Sequence, residues 1–83
     1  GKDKMIVYFI TCAIYVKGRF CNKVLMQFAY KDKAKCIEVA KDLIKQDIET
    51  DGFKQVSEFK VEKTTEKDEI QYIYEIIELP VYE

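Results

Sequence analysis

The twelve residues from Met5 to Val16 carry no charge, and nine of them are β-branched or aromatic. Such side chains lose rotamer freedom in a helix and pack well on a pleated surface, so the run predicts a long strand. It is too short for a membrane-spanning helix, which needs about 20 apolar residues. Lys17-Gly18 follows, and glycine at the second position of a two-residue loop favours a tight hairpin. Residues 19–30 then predict the return strand, with Phe20, Val24, Met26, Phe28 and Tyr30 on even positions.

Beyond the hairpin the period changes. Asp32 is a plausible N-cap, and Cys36, Ile37, Ala40, Leu43, Ile44 and Ile48 recur at helical spacing before Gly52, which suits a left-handed cap. Phe53 to Lys63 alternates again. Thr65 to Asp68 reads as a polar loop, and Ile70 to Leu79 as a last strand ended by Pro80, which cannot donate to a ladder. The expectation is an α+β fold of ββαββ order: a four-stranded antiparallel sheet with one amphipathic helix packed on one face. Residues 1–83 read as one small domain, with 1–4 a flexible or tag-derived start.

The two-residue loop sets a register that pairs Val7 with Phe28, Phe9 with Met26, Thr11 with Val24 and Tyr15 with Phe20. This larger, more aromatic set is assigned to the helix-covered core. The other set includes Tyr8, Ile10 opposite Leu25, Cys12, and Ile14 opposite Cys21, with Ile73, Ile77 and Leu79 from the last strand. It is expected on the open back face. In the second hairpin a four-residue loop pairs Phe59 with Tyr74, Val61 with Tyr72 and Ser57 with Ile76. It also sets Glu58 against Glu75, an unfavourable like-charge pair.

Composition narrows the chemistry. The chain has no His, so no Ser-His-Asp triad and no imidazole-based metal site. Its three cysteines form no C-x-x-C, and three glycines form no phosphate-cradling loop. Cys36, near the helix start beside Lys33 and Lys35, is a weak candidate for an activated thiol, because it also lies on the apolar stripe. The reading is a protein that is not an enzyme, with no catalytic residue, cofactor or metal.

Net charge is −1, but residues 1–35 carry eight basic and two acidic side chains, whereas 36–83 carry six and thirteen. Thirteen Lys stand against one Arg, which weakens any case for bidentate phosphate recognition. A back face that is apolar where an antiparallel sheet is normally polar points to an interface. Tyr8, Ile10, Cys12, Ile14, Cys21 and Leu25 are therefore the expected partner-binding residues, for a homodimer or a host protein. The alternative is weak single-stranded nucleic-acid binding by Lys17, Arg19 and Lys23 with neighbouring aromatics. No membrane partner is expected, and the odd cysteine count favours a reduced, cytoplasmic setting. In its hairpin-first layout and its wealth of Lys, Ile and Tyr, the chain resembles small accessory proteins of phages and mobile elements. That resemblance implies a domain of unknown target that inhibits or redirects a host protein.

Overall fold

The computed structural model describes residues 4–82. The chain is α+β, with one helix and an antiparallel sheet. Its elements are β1 (Lys4–Val16), β2 (Arg19–Tyr30), α1 (Lys33–Asp51), β3 (Lys54–Ser57), β4 (Lys60–Thr64) and β5 (Glu69–Tyr82). The sheet has five strands in the order β2-β1-β5-β4-β3, and the molecule is elongated, at 54 × 23 × 19 Å. Residues 1–3 of the expected flexible start lie outside the described residues. Lys4 is paired with Tyr82 in the sheet.

The local signals explain where the chain turns. Lys17 and Gly18 have φ of 53° and 77°. Positive φ at both loop positions gives the twist that right-handed strands require of a two-residue hairpin. Asp32 accepts a hydrogen bond from the Ala34 N–H at 3.0 Å and caps α1. Gly52 ends the helix at φ 76°, its N–H donating to the Asp47 carbonyl. The Thr65–Asp68 loop is closed by Thr65 N–H to the Asp68 carbonyl, with Thr65 Oγ1 accepting from the Asp68 N–H.

Five strands replace the expected four because the segment from Phe53 to Lys63 folds back on itself. Ser57 pairs with Lys60, so Glu58 and Phe59 become a turn. The β4–β5 register agrees with the hairpin arithmetic, Val61 facing Tyr72. Continuing that ladder would have set Glu58 against Glu75. The turn removes Glu58 from the sheet and leaves it 3.9 Å from Lys41 of the helix. Pro80 likewise does not end β5, which runs on to Tyr82. β4 pairing ends at Ile73, so beyond that point β5 has a free side on which Pro is tolerated.

The faces of β1 are the reverse of the expectation, whereas in β2 Met26 packs against the core and Leu25 lies on the open side, as expected. Ile10, Cys12, Cys36, Ala40, Ile44, Phe53, Val61 and Tyr74 form the buried core, with Tyr8, Ile14, Met26 and Tyr30 packed against it. The reason lies in β5. Its even-numbered residues Ile70, Tyr72, Tyr74 and Ile76 face the helix and pair with Val16, Ile14, Cys12 and Ile10. That pairing carries the even set of β1 under α1. Cys36 and Ala40 are small enough for the helix to sit close, and both are fully buried.

The loop-derived register of β2 holds only for Tyr15–Phe20 and Val16–Arg19. Cys21 is then an extra residue, and a second irregularity spans Met26 to Phe28. The slip at Cys21 is one residue and exchanges the faces of β2 relative to β1, whereas the second is two residues and leaves them unchanged. Phe28, expected in the core opposite Val7, is exposed, and Leu25 pairs with Thr11 rather than Ile10. Ile10→Lys should therefore unfold the domain, since an unpaired core charge costs several kcal/mol against a typical total of about 5–15 kcal/mol. Leu25→Lys and Phe28→Lys should leave the circular dichroism spectrum and melting temperature close to wild type. The reverse ranking of these variants would overturn the face assignment.

Candidate interaction surface

Two features stand out above the sheet scaffold: a buried polar cluster beneath the helix and an uncovered edge at β2. The cluster starts at Asp47, which follows Cys36, Ala40 and Ile44 on the buried stripe of α1. Its carboxylate accepts a hydrogen bond from the Tyr74 hydroxyl at 2.5 Å. Cys12 lies beside Tyr74 as its cross-strand partner. All three residues are buried.

Burial sets the protonation of this cluster. Removal from water pushes the Asp47 pKa up; the Tyr74 hydrogen bond opposes this and the charge of Asp51 reinforces it. Burial likewise pushes Cys12 up to about 11, partly offset by its hydrogen bond with Tyr74. Tyr74 is raised strongly, by burial first and by its bond to Asp47 second. The Cys36 thiol is also raised by burial, the opposite of what a nucleophile needs. The cluster is thus a sealed clasp between the middle of the sheet and the end of the helix. All three cysteines are free thiols, Cys21 being the exposed one. Among the described residues no three His, Cys, Asp or Glu side chains converge to hold a metal ion.

β2 is the contrasting element. Of its twelve residues only Met26 and Tyr30 are not exposed. Phe20, Leu25 and Phe28 are 58%, 60% and 62% exposed, and Leu79 and Val81 of β5 add further apolar surface. The cause is the sheet order. The core closes over β1, β5 and β4, and β2 hangs outside it as an edge.

The back face itself is partly self-covered. Val7, Thr11 and Ala13 of β1 are buried there although no helix lies over them. Lys23 pairs with Ala13 and Glu75 with Thr11, so the 3.9 Å contact between Lys23 and Glu75 reaches across β1 above these small side chains.

Of the expected partner-binding residues, Ile10 and Cys12 are core, and Tyr8 and Ile14 pack against it. Leu25 lies on the open side, opposite Thr11, and Cys21 is exposed at its bulge. Lys17, Arg19 and Lys23 do not share one surface: Lys17 is in the turn, Arg19 pairs with Val16, and Lys23 pairs with Ala13 on the opposite face. An open groove of about 510 Å³ runs between α1 and the β3–β4 hairpin, lined by Lys41, Lys45, Glu49 and Glu58 around Ile44 and Ile48. Its charges are mixed in sign and select no ligand class. Among the described residues no helix is long and apolar enough to cross a membrane.

A scan against protein-family models, a search of curated proteins and a search of solved structures each found no match.

The clasp gives a direct test. Asp47 binds its proton more tightly when folded, so its contribution is fully present below the ordinary carboxylate range. It is lost as pH rises through the raised native value. Asp47→Asn keeps an acceptor for Tyr74 and removes the charge. It should be at least as stable as wild type at pH 7 and should flatten the acid side of the stability curve. Tyr74→Phe strands the buried carboxylate and should cost about 1–3 kcal/mol. Urea denaturation at pH 5 and pH 7 measures both. An equal loss in the two variants would rule out the assigned balance.

Proposed function

We propose that this chain is a non-enzymatic protein-interaction domain that binds through the outer surface of its first hairpin. The observation that carries this reading is the edge strand β2, which leaves Phe20, Leu25 and Phe28 more than half exposed while a complete core closes without them. Contiguous apolar surface of this kind on a small domain ordinarily marks an interface. The buried thiols and the sealed clasp offer no accessible reacting group. In the setting of a small phage-type accessory protein, such a domain acts by occupying a surface of a host protein.

The expected partner-binding set is accordingly moved. Leu25 and Cys21 stay at the surface, whereas Ile10 and Cys12 hold the hairpin in shape from beneath. Crosslinking capture from source cells should enrich the same partner with wild type and with Cys12→Ala, and lose it with Leu25→Lys. Light scattering on the same samples detects self-association. Partner capture that survives both Leu25→Lys and Phe28→Lys, with folding intact, would defeat the reading.

A further inference from the structure

Charge on this edge specifies the partner more closely than its apolar residues do. From Lys4 to Lys31 the chain carries five cations and no carboxylate. Four of them, Lys17, Arg19, Lys23 and Lys31, lie on β2 or at its two ends. Among the described residues only Lys23 of these four meets a carboxylate, Glu75, and at 3.9 Å between exposed groups that contact holds it weakly. Apart from Asp32, which follows Lys31, and Glu75, which reaches Lys23 across β1, the acids of residues 4–82 lie on α1, β4 and β5 and in the turns beside β4, away from this edge.

The edge also has free backbone. β2 pairs with β1 alone, so alternate N–H and C=O groups point outward without a ladder partner. Its two irregularities bracket the evenly paired stretch Asn22–Leu25. Long templated stacking is thereby broken up, and a short regular segment is left with cations on both sides of it.

Building on the interaction reading, we propose that the free edge of β2 receives an extended, acidic segment of a partner protein, added as a sixth strand. Its apolar side chains meet Leu25 and Phe28, and its carboxylates meet Arg19 and Lys23. Strand addition draws affinity from main-chain hydrogen bonds and specificity from alternate side chains. A second copy of this chain suits the edge poorly. Antiparallel pairing of two β2 strands centred on Leu25 sets Arg19 against Lys31 twice, and the neighbouring acid, Asp32, is engaged in capping α1. Nucleic acid suits it less well too, because Arg19 and Lys23 lie on opposite faces of the ribbon and form no continuous basic groove.

The test is selection of a random twelve-residue peptide display library on the folded chain. Wild type and Arg19→Glu/Lys23→Glu are compared, with a labelled 20-nucleotide single strand as a competing probe. Enriched peptides should be acidic, with a carboxylate and an apolar residue two positions apart on one face to meet Lys23 and Leu25. Their affinity should fall about tenfold in the double variant, and markedly between about 50 and 200 mM salt. Amide chemical shifts should move at Asn22–Leu25 rather than along the groove beside α1. Peptides that are not acidic, or that bind the double variant equally, would overturn the acidic-strand assignment and leave the interaction reading in place. Tighter binding of the oligonucleotide than of any peptide would overturn both. So would an absence of enriched peptides combined with a monomeric chain that captures nothing from cells.

Discussion

The β1–β5 ladder is the constraint on which the rest of the molecule hangs. It joins the first and last strands through thirteen consecutive pairs without a break in register, from Lys4–Tyr82 to Val16–Ile70. Every other element is placed relative to it: β2 outside β1, β4 outside β5, and α1 across the even-numbered side. Because it joins chain ends, its loop-closure cost is met before much of the native packing can form, which is the pattern that slows folding. The local hairpins, closed by Lys17-Gly18 and by Thr65–Asp68, are the parts that can form early.

That ladder also explains what could and could not be read in advance. The long strands, the helix with both caps, and the Val61–Tyr72 register were legible because each rests on neighbours within one hairpin or one helix. The outer set of β5 was legible too: Ile73, Ile77 and Leu79 lie on the face away from the helix, as their alternation suggests. The orientation of β1 was not. Both of its faces are apolar, so periodicity could not choose between them. The deciding fact, that Cys12 meets Tyr74, is a pairing between residues far apart in sequence. The bulge at Cys21 offsets that reversal along β2, so Met26 stays on the helix side and Leu25 on the open side although β1 is turned over.

Asp47 shows a second limit. It sits one helical step beyond Ile44 on the apolar stripe, a position at which a carboxylate asks for a partner. The stripe was visible in the sequence. The partner was not, because Tyr74 read equally well as an apolar core residue. A buried acid at helical spacing from three small or aliphatic residues is the signal that would have found the clasp. The same step would have shown which side of β1 the helix covers, since Tyr74 pairs with Cys12.

The clasp and the exposed edge are two consequences of one arrangement. Tyr74 anchors the end of α1 over β5, and Gly52 and Phe53 both donate their N–H groups to the Asp47 carbonyl, which fixes the exit of the helix on that side. A helix of 19 residues is about 28 Å long and covers roughly two or three strands of a twisted sheet. Held over β5 and β4 at its C-terminal end, it meets β2 at Met26 and Tyr30, which pack against the core. Phe20, Leu25 and Phe28 remain in water in the isolated chain, and burying them requires something from outside. Leu25 pairs with Thr11 on the sheet face opposite the helix, where no shift of α1 could cover it. The Tyr74–Asp47 hydrogen bond holds the helix to the even-numbered side of β1 and β5, so the interaction that closes the core also leaves the other face of the hairpin open.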